Sequence, residues 1–126
     1  MSQAPTQEKQ LTVLVVDDEE DLRDIMHRIL QRHGFAPLTA GDVAPAIEVC
    51  REHPGVIDIL VTDLTLPGGS GTELSRAAVE MRPGIRVVYI SGLPRELAIQ
   101  EGLISPDSLL VKKPFSSADL LAALNS

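Results

Sequence analysis

Leu11-Thr12-Val13-Leu14-Val15-Val16-Asp17-Asp18 (residues 11–18) is a short apolar, β-branched run that ends in two carboxylates. The same form recurs three times. Val56-Ile57-Asp58-Ile59-Leu60-Val61-Thr62 runs into Asp63, Val87-Val88-Tyr89-Ile90 into Ser91, and Leu109-Leu110-Val111 into Lys112-Lys113-Pro114. Such runs, separated by helix-length segments, read as buried strands of a parallel sheet. In an open α/β sheet the carboxyl ends of the strands share one edge, and sites form there. Three carboxylates, a hydroxyl and an amine, dispersed in sequence, are therefore expected to converge.

Working outward, Leu22, Ile25, Met26, Ile29 and Leu30 form an i, i+3, i+4, i+7, i+8 stripe, and Gly34 stops that helix. A second strand is expected over Phe35–Thr39. Pro37 cannot donate to a ladder, which places this strand at a sheet edge. Asp42 is expected to cap a helix with Val43, Ala46, Ile47 and Cys50 inward; Pro45 falls in its first turn. Pro67-Gly68-Gly69 forces a loop, and Ser70 with Glu73 has the form of a capping box for a helix with Leu74, Ala77, Ala78 and Met81 inward. A short fourth helix over Pro94–Gly102 has only a thin apolar stripe. Ser116 can cap a fifth, with Leu120, Leu121 and Leu124 inward. The expected architecture is α/β: a doubly wound, five-stranded parallel sheet flanked by five helices, with right-handed crossovers. Residues 1–10, polar and aperiodic, read as a flexible tail or linker, and 11–126 as one domain.

Composition narrows the function. The chain of 126 residues carries a formal net charge of −7, with one Tyr, two Phe and no Trp. Binding to a phosphate backbone needs a basic footprint, and single-strand binding needs stacking aromatics, so no nucleic-acid partner is expected. The single cysteine, Cys50, permits no intramolecular disulfide. No apolar stretch approaches the ~18 residues of a membrane span and no signal peptide opens the chain, so no membrane association and a cytoplasmic location are expected. The chain ends without a basic or helix-turn-helix segment, so no DNA-binding output is expected. His27, His33 and His53 lack spaced partners for metal or triad work.

Asp17, Asp18 and Asp63 would repel one another if brought together, and a hard cation such as Mg2+ would relieve that. The competing reading is that Asp17 to Asp21 cap a helix and complement its dipole. A carboxylate can also act as a nucleophile towards phosphorus. Asp63, at the end of a buried central strand and before a tight loop, is the candidate, with Ser91 as hydrogen-bond donor and a lysine after the fifth strand as point charge.

The chain resembles the receiver domain of two-component response regulators, similar to the chemotaxis response regulator. The resemblance rests on Val15-Val16-Asp17-Asp18-Glu19, residues 62–71 (TDLTLPGGSG), Ile90-Ser91-Gly92 and Lys112-Lys113-Pro114-Phe115. It implies a phospho-accepting switch in which Asp63 takes a phosphoryl group from a histidine kinase, separate or in the same polypeptide. It further implies Mg2+ held by Asp17, Asp18, Asp63 and the Thr65 backbone carbonyl, with Ser91 and Lys113 on the phosphoryl group and a cis Lys113-Pro114 bond. A downstream protein would read the switched surface around helix 4, strand 5 and helix 5, where Leu103 and Ile104 either offer an apolar contact or are buried. Such a domain catalyses its own phosphorylation and is not a turnover enzyme. The segment from Tyr89 to Phe115 looks similar to receivers attached to hybrid histidine kinases.

Two positions depart from the family pattern. Leu110 stands where an aromatic often does, and Ser91 replaces the commoner Thr. Tyr89 reads as core packing. Thr65 and Leu93 offer no group to position an attacking water, which implies a long-lived phospho-form. Two other functions compete: a receiver-like interaction module that works without phosphorylation, and an aspartyl-nucleophile phosphatase. The phosphatase reading lacks a second Asp at position 65 and the length for a substrate cap.

Overall fold

A computed structural model describes residues 10–126; the expected tail at residues 1–9 lies outside them. The described residues form β1 (Thr12–Val16), α1 (Glu20–Arg32), β2 (Ala36–Ala40), α2 (Val43–Glu52), β3 (Ile59–Asp63), β4 (Thr65–Leu66), β5 (Gly69–Ser70), α3 (Gly71–Met81), β6 (Arg86–Ser91), α4 (Arg95–Gln100), β7 (Leu109–Lys112) and α5 (Ser117–Leu124). Five strands make one parallel sheet in the order β2-β1-β3-β6-β7. The expected fourth and fifth strands are β6 and β7. Strand β2 is an edge strand, as Pro37 requires.

Alternation along β1 divides the interior. Val13 and Val15 join Met26 and Leu30 of α1 and Leu120 and Leu124 of α5 on one face. Leu14 and Val16 join Ala46 and Cys50 of α2 and Leu74 and Ala78 of α3 on the other. A period of two has turned successive side chains to opposite sides, and each face has bound a helix pair. The helix starts follow their local chemistry. Asp42 accepts from Val43 N–H, and Ser70–Glu73 and Ser116–Asp119 each form a reciprocal capping box. Gly34 adopts φ +87 just past α1, the left-handed turn a helix C-terminus favours. The Lys113-Pro114 bond is cis.

Several expectations need correction. Ile25 is 51% exposed and Met81 37%, so neither faces the core. Ser75, a polar residue, is buried on α3. Strand β2 starts and ends one residue later than expected, and Val56–Asp58 lie outside β3. Pro67 and Gly68 form the tip of a two-stranded antiparallel ribbon, β4 with β5, and Gly69 begins β5. Of the two alternatives for Leu103 and Ile104, burial holds for Ile104, while Leu103 is half-buried.

Cys50 is 2% exposed, and burial pushes its thiol above the ordinary range, only partly opposed by the Arg82 charge. The reactive thiolate is thus suppressed twice, by access and by ionisation. The native protein is expected to resist a thiol-alkylating reagent at mildly alkaline pH. The urea-unfolded chain should take up one equivalent at once, as intact mass would show.

Candidate functional site

The carboxyl ends of β1, β3, β6 and β7 carry the candidate residues onto one edge. Asp17 follows β1 directly, Asp63 closes β3, Ser91 closes β6 and Lys113 follows β7. In register, Asp63 lies opposite Ile90 and Ser91 opposite Lys112. Parallel pairing has aligned four strand ends that are up to 96 residues apart in sequence (113 − 17 = 96).

Asp17, Asp18 and Asp63 each place a carboxylate oxygen within 4.8 Å of the others. Asp17 is fully buried, Asp63 nearly so, and Asp18 exposed. Lys113 Nζ donates to Asp63 Oδ2 at 2.7 Å and lies 3.2 Å from Asp17 Oδ2. The second contact is an ion pair without hydrogen-bond alignment, because Asp17 Oδ2 has no hydrogen-bond partner. The other oxygens are held by backbone. Glu19 N–H donates to Asp17 Oδ1 at 2.8 Å and Thr65 N–H to Asp63 Oδ1 at 3.0 Å. Burial pushes the Asp17 carboxyl above its ordinary range, and the Asp63 charge adds to this; the Glu19 N–H and Lys113 pull the other way. For Lys113, burial opposes its charge, but the hydrogen bond to Asp63 and the charges of Asp17 and Asp63 outweigh it and raise its pKa.

The loop after Asp63 is bound tightly to the site. Gly71 N–H donates to Leu64 O at 2.8 Å, and the Gly71 backbone passes so close that a Cβ there would lie 2.2 Å from Asp63 O. Across the site, Ser91 is buried and its Oγ accepts from Leu93 N–H at 3.0 Å. Its backbone carbonyl accepts from Lys113 N–H at 2.8 Å. The structure thus brings Asp17, Asp18, Asp63 and Lys113 together. Ser91 borders them, and Thr65 enters through its N–H, its side chain exposed. Lys112 is exposed and outside the cluster.

The donor set fits a hard divalent cation. Three carboxylates converge, one oxygen is buried without a donor, and among the described residues no histidine or thiolate joins the cluster. A single lysine cannot neutralise three acids. The acidic cluster could therefore hold a metal ion.

A five-stranded, doubly wound parallel sandwich with an acidic cluster and a lysine at one sheet edge defines a class of signalling domain. The sequence profile of the response regulator receiver domain matches residues 13–125, and the chain belongs to that family. It is 28% identical over 109 residues to the response regulator receiver protein CpdR of Brucella abortus (strain 2308), covering 86% of this chain and 89% of that one. It is 30% identical over 109 residues to the sensor kinase CckA of the same organism, covering 86% of this chain but 12% of that one. A crystal structure of a response regulator receiver protein from Sinorhizobium medicae WSM419 superposes with a TM-score of 0.80 at 33% identity, covering 93% of each chain. The chain spans about half the length of several further curated relatives. Receiver domains of two-component systems interact with histidine kinases and bind Mg2+ at an acidic pocket. Among the described residues no helix is long and apolar enough to cross a membrane.

Proposed function

We propose that this chain is a phospho-accepting switch that receives a phosphoryl group on Asp63 from a phosphohistidine of a partner kinase. The observation that carries the reading is the convergence of Asp17, Asp18 and Asp63 with Lys113 Nζ seated on the Asp63 carboxylate. An Asp63 oxygen attacks phosphorus, the new P–O bond forms as the P–N bond breaks, and the pair of electrons leaves with the imidazole. Thr65 N–H and Lys113 hold the carboxylate from both sides before the reaction. Lys113 then supplies a flexible point charge for the transferred group, and Ser91 can turn its hydroxyl proton to a phosphoryl oxygen. Asp17, Asp18, Asp63 and the Thr65 carbonyl would hold Mg2+. When bound, the ion neutralises phosphoryl charge that these carboxylates would otherwise repel.

The site residues, residues 11–126 as the receiver domain, residues 1–10 as a linker and a cytoplasmic location form one consistent reading. Similarity to part of a sensor kinase supports origin as a receiver module of a hybrid kinase. A downstream protein partner completes the switch.

Intact mass after incubation with Mg2+ and acetyl phosphate tests this. One phosphoryl group is expected on the wild type, none without Mg2+ and none on Asp63→Asn. Failure with acetyl phosphate and also with a phosphorylated histidine kinase would leave the phosphorylation-independent module as the better account.

A further inference from the structure

Tyr89 is the only tyrosine of the chain. Its hydroxyl lies 2.6 Å from Ser75 Oγ of α3. Ser75 has a single proton, and that proton is directed to Thr72 O at 3.0 Å. Tyr89 is therefore the donor of the 2.6 Å bond and Ser75 its acceptor. Both residues are buried.

The ring belongs to a third apolar cluster, with Leu64, Ala98 and Ile104, separate from the two that fill the faces of the sheet. Leu64 follows Asp63 directly. Its N–H donates to Ile90 O, and its carbonyl accepts from Gly71 N–H at the start of α3. Ser91 lies two residues beyond Tyr89 on β6, so their side chains share a face. Tyr89 thus touches the acceptor loop through Leu64, shares a strand with Ser91, contacts α4 through Ala98 and is bonded to α3 through Ser75. Beyond it opens a groove between α3 and the connection from α4 to β7, lined in part by Thr72, Arg76, Val79, Leu103 and Ser105. Tyr89 and Ser75 themselves line this groove. Leu110, opposite Tyr89 on β7, has no polar group to bind it instead.

We propose that the Tyr89–Ser75 bond is a hydroxyl latch that couples the state of Asp63 to α3, closed in the resting protein and released when the acceptor is phosphorylated. This rests on the phospho-acceptor reading above. A pull on Ser91 and a shift of Leu64 both act on the ring that the latch holds. Its release reshapes the groove beside α3. By linkage, a change that weakens only the resting state must favour the phosphorylated one by the same factor.

With one Tyr and no Trp, near-ultraviolet circular dichroism and tyrosine fluorescence report on this single group. On treatment with acetyl phosphate and Mg2+, the tyrosine signal should change in step with the mass gain, and not at all in Asp63→Asn. Ser75→Ala should shift the resting spectrum towards the phosphorylated one. It should also bind beryllofluoride, a phosphoryl mimic, about fivefold tighter, the ratio carried by one net hydrogen bond. Ser75→Thr keeps the acceptor and should restore both. Full phosphorylation by mass with an unaltered tyrosine signal would overturn the latch while leaving the acceptor reading intact. So would wild-type mimic affinity in Ser75→Ala. Absence of any mass gain would overturn both. Should Ser75→Ala fail to fold, the wild-type spectrum decides by itself.

Discussion

Replacing Lys113 by Met is expected to destabilise the protein by about 3 kcal/mol at neutral pH in the presence of a chelator, as for a buried ion pair that loses one partner. Lys113 is the counter-charge to two acids, at 2.7 Å from Asp63 and 3.2 Å from fully buried Asp17. Without it, two carboxylates less than 5 Å apart repel by roughly 3–4 kcal/mol at an effective dielectric of ~20. The pH dependence has a definite sign. The Asp17 carboxyl is already raised, so protonation of the folded protein relieves the repulsion, and the deficit should shrink as pH falls through the carboxyl range. The folded pKa of Lys113 is raised too. Its stabilisation is therefore fully present below the ordinary lysine value of about 10.4 and is lost as pH rises through the folded one. Urea unfolding at acid, neutral and alkaline pH tests both arms. Millimolar Mg2+ should return part of the lost stability. Phosphoryl uptake from acetyl phosphate should fall about 100-fold, the scale for losing one electrostatic contact to the reacting group. A variant as stable as wild type at neutral pH would show that the lysine is not the counter-ion the geometry makes it.

The sequence made this site legible because parallel strands align their ends, so a motif at each end needs no further information to be placed. The strand over Leu109–Lys112 and the caps at Asp42, Ser70 and Ser116 were readable for the same reason: each depends on neighbours in sequence. What escaped depends on distance. Apolar spacing alone put Ile25 and Met81 inward, yet the buried residues of α1 are Met26 and Leu30, and Met81 is the last residue of α3. Spacing states which residues share a helix face, not how much of that face a neighbour covers. The Ser75–Tyr89 pair is separated by 14 residues and joins two different elements, and a serine among helix residues carries no mark of its partner. Arg82 is similar: it donates to the carbonyls of Cys50, His53 and Gly55, fastening the end of α2 to the end of α3. Nothing in Arg82-Pro83-Gly84 except the stop of a helix suggested it.

Gly71→Ala should produce the other large effect, and helix propensity gives it the wrong sign. Gly71 is the first residue of α3, and exchanging Gly for Ala inside a helix ordinarily gains about 1 kcal/mol. Here the added Cβ would lie 2.2 Å from Asp63 O, 3.0 Å from its carbonyl carbon and 3.1 Å from Leu64 Cα. All three are backbone atoms, so no side chain can turn aside, and either the end of β3 or the start of α3 must move. Forcing a methyl into packed structure costs about 1–3 kcal/mol, and a backbone clash lies at the upper end. A net loss of about 2 kcal/mol follows after the propensity gain, read as a lower urea midpoint at unchanged slope. Gly84→Ala is the control. A Cβ at Gly84 meets nothing within 4 Å and its φ is not positive, so its stability should match or slightly exceed that of the wild type. The same displacement would carry Thr65 N–H away from Asp63 Oδ1. Phosphoryl uptake by Gly71→Ala should therefore fall even where the variant remains folded, while Gly84→Ala keeps the wild-type rate. A stable, fully phosphorylated Gly71→Ala would mean that the acceptor strand and α3 do not need their close approach to set the carboxylate.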